Sequence, residues 1–175
     1  MNIIWRPSLN FKTGNSVQFI VLHFTAGGIE GSLETLTKPG GLSSHYVISK
    51  KGEIYKLVQE TNIAYHAGKS SYGDLVSLNN YSIGIEIENW GDLHKDSSGK
   101  ICRWTGAEHT DKFKLVNMIY WDYYPFIQLH SVVELVKNIK TRYPNIKIVG
   151  HDQIAFGRKS DPGAAFPWDS LLTEV

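Results

Sequence analysis

Apolar positions along this chain come in short runs separated by turn-forming residues, with one long stretch of helical spacing near the C-terminal end. Residues 17–22 (Val-Gln-Phe-Ile-Val-Leu) follow the turn-prone Thr13-Gly14-Asn15-Ser16 and are mostly β-branched and aromatic, which predicts a buried strand with His23 at its C-terminal end. Ser32 ahead of Leu33-Glu34-Thr35-Leu36 predicts a short capped helix that Pro39-Gly40-Gly41 stops. Residues 45–49 and 53–58, joined through Lys50-Lys51-Gly52, predict a hairpin, and residues 82–88 a further strand after Asn79-Asn80. From Leu129 onward Val132, Val133, Val136, Ile139 and Tyr143 recur at helical spacing. Lys137, Lys140 and Arg142 take the other face, and Pro144 ends the helix. Residues 146–149 read as a last strand that runs into Gly150-His151 and a loop reaching Asp161-Pro162-Gly163. Strands mixed with helices around one sheet predict an α/β or α+β domain. The polar and aromatic stretch from Trp90 to Tyr124 has no periodicity that assigns it.

A chain of 175 residues is the size of one domain, so residues 1–175 are expected to share one core and one site. Hydrophobic residues at 42% and charged residues at 20% are globular proportions that exclude a disordered or fibrous chain. A net charge of +1, with no basic stripe, argues against a nucleic-acid partner. The single cysteine, Cys102, excludes an internal disulfide and a cysteine-pair zinc site and reads as a small side chain in a loop or the core. Residues 1–12 have no apolar h-region, and no unbroken apolar run reaches bilayer length. The expectation is a soluble protein without a Sec-type signal or a membrane partner.

Position separates the candidates among the seven histidines. His23 and His151 each end a predicted strand next to a loop, where a scaffold presents ligands rigidly, although either alone could be an ordinary structural histidine. Asp161 lies ten positions past His151 in a loop stiffened by Pro162 and Gly163. Two imidazoles and a carboxylate would leave one tetrahedral zinc position open for water, the mark of a catalytic site. In residues 82–88 strict alternation puts Ser82, Gly84, Glu86 and Glu88 on one face and Ile83, Ile85 and Ile87 on the other. Carboxylates on a central strand are costly unless they face a polar cavity, so Glu86 is a candidate general base, with a solvated strand face as the alternative. Lys159 could place an ammonium beside a tetrahedral oxyanion, while Arg158 reads as making structural or substrate-carboxylate contacts. His66, among small neighbours in Ala64-Tyr65-His66-Ala67-Gly68, is read as substrate-binding or structural. His45, His94, His109 and His130 are expected to be structural or solvated.

Five segments then occur in a specific order: Val21-Leu22-His23-Phe24-Thr25-Ala26-Gly27, Ser44-His45-Tyr46-Val47-Ile48, Ala64-Tyr65-His66-Ala67-Gly68, Ser82-Ile83-Gly84-Ile85-Glu86-Ile87-Glu88, and Gly150-His151-Asp152 through Lys159-Ser160-Asp161-Pro162-Gly163. Together, over roughly residues 19–168, they resemble the type 2 N-acetylmuramoyl-L-alanine amidases, relatives of the peptidoglycan recognition proteins and of phage amidase lysins. The resemblance implies a mixed central β-sheet flanked by α-helices, an α/β fold, with one zinc ion held by His23, His151 and Asp161. Aspartate as third ligand is similar to the AmpD-like branch, which implies Glu86 and Lys159 as the catalytic pair. Where other members carry a catalytic tyrosine this chain has Ser44, which also points to the glutamate arrangement. The same resemblance implies that His66 lines the substrate groove and that Asn80 touches a muropeptide.

The reaction implied is hydrolysis of the amide between N-acetylmuramic acid and L-alanine, in peptidoglycan or in soluble muropeptides. The alternative is a non-catalytic peptidoglycan-binding module, which the filled ligand positions disfavour. Another type of zinc hydrolase is disfavoured by the absence of His-Glu-x-x-His. A monomer is expected, either cytoplasmic or phage-encoded and released at lysis. The aromatic residues of the Trp90 to Tyr124 stretch are expected to fill core before they stack on sugars.

Overall fold

A computed structural model describes all 175 residues. In chain order its first half holds β1 (Ile3–Trp5), β2 (Phe11–Thr13), β3 (Phe19–Phe24), α1 (Ile29–Thr37), β4 (Tyr46–Ile48), β5 (Ile54–Lys56), β6 (Asn62–Ala64), β7 (Ser71–Tyr72) and β8 (Leu75–Val76). A 3-10 turn (Leu78–Tyr81) leads into β9 (Ser82–Ile87), followed by β10 (Asp92–Lys95), β11 (Ile101–Cys102), β12 (Phe113–Val116), β13 (Ile119–Asp122), α2 (Phe126–Arg142), β14 (Lys147–Gly150), α3 (His151–Ile154) and α4 (Trp168–Glu174).

The main sheet has the order β1-β5-β4-β9-β3-β14. β4, β9, β3 and β14 run parallel, and β5 turns back against β4, so the sheet is mixed and the fold α/β, as the sequence predicts. Parallel strands are covered on both faces, which is why residues 19–24 are apolar except for His23, whereas residues 82–87 keep their isoleucines for one face and turn Ser82, Gly84 and Glu86 to the other. On one face Ile20, Leu22, Tyr46, Ile48, Ile83, Ile85 and Ile87 pack against Val132, Val136 and Ile139 of α2 and Leu171 of α4. Each such side chain contributes about 1.5–3 kcal/mol by leaving water. On the opposite face Val47 meets Leu33 and Leu36 of α1, and Phe19, Val21 and Val149 meet Ile154 and Leu78. No helix is long and apolar enough to cross a membrane.

Two helix starts differ from expectation. Ser32 lies inside α1, where its hydroxyl donates to the Gly28 carbonyl at 2.8 Å. The helix begins at Ile29 because Glu88, from just beyond β9, accepts the Ile29 N–H at 3.0 Å and places a carboxylate at the N-terminus. α2 begins at Phe126, directly after Pro125 and three residues before the periodic run; its exposed first residues Phe126 and Ile127 add nothing to the apolar period, so the sequence pattern does not show this start.

The unassigned stretch folds into a second sheet of order β11-β10-β13-β12. β12 and β13 are joined by Asn117 and Met118, both at positive φ (52° and 64°), a geometry for which methionine is an unusual choice. Trp121 and Tyr124 are buried as core, whereas Trp104 is 66% exposed. Asp122 ties this sheet to the main body. Its carboxylate accepts from Lys50 Nζ at 2.6 Å and from the Trp90 N–H at 2.8 Å. Cys102 is buried and free, in β11.

Candidate metal centre and active site

Three parallel strands end at one place, the carboxyl edge where open α/β sheets collect ligands. The register sets His23 of β3 beside Glu86 of β9, and paired residues on parallel neighbours share a face, here the face that α1 covers. β14 pairs Gly150 with Leu22, so His151, first residue of α3, follows level with His23.

Asp161 arrives from the loop after α3, which is fastened at three points. The Asp152 N–H donates to the Asp161 carbonyl at 2.9 Å, and the Tyr124 hydroxyl donates to the Pro162 carbonyl at 2.8 Å. Gly163, at φ +83°, lies so close to Trp121 that a Cβ there would come within 2.5 Å of the indole. The second sheet, through Tyr124 and Trp121, thus buttresses the loop that carries Asp161.

His23 Nδ1, His151 Nδ1 and Asp161 Oδ2 lie 2.9 Å from one another, pair by pair, and all three residues are buried. His151 Nε2 is 3.1 Å from the Ala67 carbonyl, a contact that attracts only if this nitrogen carries the proton. In neutral His151 the Nδ1 that faces the cluster is therefore a lone pair, and ionised Asp161 can only accept. Acceptors this close repel unless a positive charge lies among them, supplied by a proton or by a metal cation. Two imidazole nitrogens and one carboxylate oxygen are a zinc-type donor set with one tetrahedral position left over, so these residues fit a metal.

Burial lowers the basicity of His23, with Asp161 opposing that shift. Burial pushes the Asp161 carboxyl up, but the His151 and His23 rings, which bond to the carboxylate whenever their Nδ1 atoms carry a proton, outweigh burial and hold Asp161 below the usual carboxylate range. Glu86 moves the other way. Burial, reinforced by the nearby charge of Asp161, raises it well above an ordinary carboxylate, and Lys159 opposes the shift.

The cluster lies on the floor of a groove of about 480 Å³. One wall is α1, through Gly28, Gly31, Ser32 and Thr35; the other is Trp90 and Trp104; Glu86, Lys159 and His66 join the floor and rim. The Trp104 indole N–H donates to the Ala26 carbonyl at 2.7 Å, which fixes an exposed ring over the groove. Trp90 is held by the Arg103 guanidinium stacked 4.3 Å from its ring centre. A larger cleft of about 600 Å³ lies at the opposite end of β3 and β14, but no His, Asp or Glu lines it.

The structure brings His23, His151, Asp161, Glu86, Lys159 and His66 into this groove and leaves two other candidates outside it. Asn80 is exposed in the 3-10 turn at the N-terminal end of β9, a strand's length from the carboxyl edge, and does not line the groove. Its neighbour Asn79 is the engaged residue, accepting the His66 and Ala67 N–H groups at 3.1 and 2.8 Å. Arg158 donates to the Ala67 and Lys69 carbonyls at 3.0 and 2.6 Å, which braces that loop, and its side chain also lines a smaller cleft beside Lys159. Ser44 is enclosed and donates to the Gly84 carbonyl at 2.8 Å, away from the groove. Sequence reasoning put core filling first for the aromatic residues of the Trp90 to Tyr124 stretch, which holds for Trp121 and Tyr124 but not for Trp90 and Trp104, which line the groove. It also missed Ser82 and Gly84, whose signal was their place on the Glu86 face.

Fold and site together define a mixed-sheet domain with a buried His-His-Asp cluster that could hold a metal ion, beside a half-buried glutamate. Residues 13–164 match the N-acetylmuramoyl-L-alanine amidase family, and the chain belongs to it. It is 34% identical over 168 residues to the N-acetylmuramoyl-L-alanine amidase AmiD of Escherichia coli K12, covering 90% of this chain and 53% of that protein. It is 32% identical over 129 residues to the 1,6-anhydro-N-acetylmuramyl-L-alanine amidase AmpD of Citrobacter freundii, covering 73% and 54%. The chain spans about half the length of these curated relatives. A solved complex of E. coli AmiD with anhydro-N-acetylmuramic acid-L-Ala-D-γ-Glu-L-Lys superposes with a TM-score of 0.72 at 32% identity, covering 93% of this chain and 58% of that one.

Proposed function

We propose that this chain is a zinc-dependent amidase that hydrolyses the bond between the lactyl group of N-acetylmuramic acid and L-alanine, in peptidoglycan or muropeptides. The observation that carries the reading is the convergence of His23 Nδ1, His151 Nδ1 and Asp161 Oδ2 on the floor of a groove that Glu86 shares. These three residues would hold one zinc ion per chain, which when bound supplies Lewis-acid polarisation and acidifies water toward neutral pH.

The chain's own groups do the rest. Glu86 accepts the proton of the attacking water and returns it to the nitrogen of the departing L-alanine. Its raised proton affinity suits that exchange, because a base poised nearer neutrality also serves as the acid. The Lys159 ammonium at the groove rim stabilises the negative charge that develops on the carbonyl oxygen. Trp104 and Trp90 offer a rigid aromatic wall to the apolar face of a sugar ring.

The test is mass spectrometry of purified muropeptides incubated with the protein, with and without a chelator and with zinc restored. Free stem peptide beginning with L-alanine, lost on chelation and recovered with zinc, is the expected result. Intact muropeptide under zinc-replete conditions replaces this reading with that of a peptidoglycan-binding module.

A further inference from the structure

The buried histidine next to His23 has no part in that chemistry, yet it is built into the site with more hydrogen bonds than a groove-lining ligand needs. We propose that His66 is a positioning residue: through a relay anchored on the Leu78 carbonyl it fixes the tautomer and ring plane of His23, so that His23 presents an unprotonated Nδ1 to the metal. The assignment rests on the metal-site reading of the previous section but not on the identity of the substrate.

The relay leaves one choice at each link. The Ser82 hydroxyl lies 2.6 Å from the Leu78 carbonyl, which can only accept, so the hydroxyl proton is committed there. Ser82 Oγ lies 3.2 Å from His66 Nε2 and, its own proton spent, must accept, so His66 Nε2 carries a proton. The ring's partners, Ser82 and His23, are not acidic, and in a neutral imidazole the other nitrogen is a lone pair. His66 Nδ1 lies 2.9 Å from His23 Nε2, which therefore donates, and His23 Nδ1 is left bare toward His151 and Asp161.

The seat of His66 is equally determined. Asn79 Oδ1 accepts from the main-chain N–H groups of His66 and Ala67, and the ring occupies the space beside β9 that a side chain at Gly84 would take. A Cβ at Gly84 would fall 2.5–2.7 Å from His66 Cγ, Cδ2 and Nδ1. One short segment thereby serves both histidine ligands, since the His66 side chain fixes His23 while the Ala67 carbonyl, 3.1 Å from His151 Nε2, fixes His151. Outer groups of this kind set ligand orientation and basicity.

Zinc affinity, measured by competition with a chromophoric chelator and without substrate, tests the relay in His66→Ala and Ser82→Ala. His66→Ala is expected to weaken zinc binding about 10- to 100-fold, and Ser82→Ala by less. Nitrogen-15 NMR of the metal-free protein at mildly alkaline pH should show His23 protonated at Nε2 in the wild type and a tautomer mixture in Ser82→Ala. Should His66→Ala fail to fold, Ser82→Ala, which loses only a hydroxyl, reads the same relay. Zinc affinity within twofold of wild type in a folded His66→Ala, or an unchanged His23 tautomer in Ser82→Ala, overturns the proposal. A raised KM with unchanged zinc affinity would return His66 to substrate binding. Because zinc is the only ligand used, an inactive but zinc-binding wild type would refute the amidase reading and leave this one standing.

Discussion

Gly84→Ala adds one methyl group to the middle of the central strand and should damage a site whose ligands it does not touch. The new Cβ would lie 2.5–2.7 Å from three atoms of the His66 ring, against a comfortable contact of about 3.5–4.0 Å. The ring must therefore retreat by about 1 Å, and its hydrogen bonds to Ser82 and His23, now 3.2 and 2.9 Å, stretch beyond useful length. Overpacking costs about 1–3 kcal/mol and two lost hydrogen bonds about 1 kcal/mol each, while replacing glycine in a strand returns about 0.4–1 kcal/mol through the unfolded chain. A net loss of about 2–4 kcal/mol corresponds to a Tm lowered by roughly 5–12 °C in a domain this size. Calorimetry of the metal-free protein reads the packing loss, and chelator competition reads an accompanying drop in zinc affinity of about tenfold or more. A Tm within about 1 °C of wild type, together with unchanged zinc affinity, would show that His66 is not seated against Gly84 and would remove the physical basis of the relay.

Glu86→Gln keeps the shape and removes the base, so turnover should fall by about 10²–10⁴ while zinc is retained; near-normal kcat would end its assignment. Lys159→Ala should depress kcat by about 10² and leave KM nearly unchanged, as expected of a group that acts on transition-state charge. Lys159 also lowers the proton affinity of Glu86, so removing it raises that affinity further. Since Glu86 acts as a base only when ionised, the acid limb of kcat/KM against pH should move to higher pH in Lys159→Ala, and a limb that stays or moves down contradicts the pairing. Trp104→Ala should reduce kcat/KM about fivefold on substrates that keep their sugar, through loss of an aromatic contact of about 1 kcal/mol, with no change in zinc affinity. An equal effect on a sugar-free peptide amide would detach Trp104 from glycan binding.

Much of the fold is legible because parallel strands and an amphipathic helix write their burial into the order of side chains. Residues 17–22, 82–88 and 129–143 could be assigned without contacts, since each signal is local. The two helix starts escaped for the complementary reason. α1 takes its first cap from Glu88, about sixty residues away, and α2 opens with an exposed turn that has no core face. The sheet from β10 to β13 escaped because its aromatic residues divide between two environments. Trp121 and Tyr124 support the Asp161 loop from the core, while Trp90 and Trp104 face the groove, and no period separates the two pairs. Asn80 was singled out by its neighbourhood in sequence, but the 3-10 turn places it at the far end of the strand and turns Asn79 to the His66 loop.

By itself the sequence determined which residues have the chemistry for a metal site: histidines at strand ends, an aspartate in a stiffened loop and a carboxylate on a strand whose other face is all isoleucine. These are properties of residue type and local backbone, and they survive without knowledge of the neighbours. Only the tertiary structure decided which nitrogen of each histidine faces the cluster. That choice belongs to the atoms behind the ligands, the Ala67 carbonyl for His151 and the chain from Leu78 through Ser82 and His66 for His23. A proton's position on an imidazole is set by its partners in space, and strands 60 to 130 residues apart in sequence supply those partners only once their register has closed.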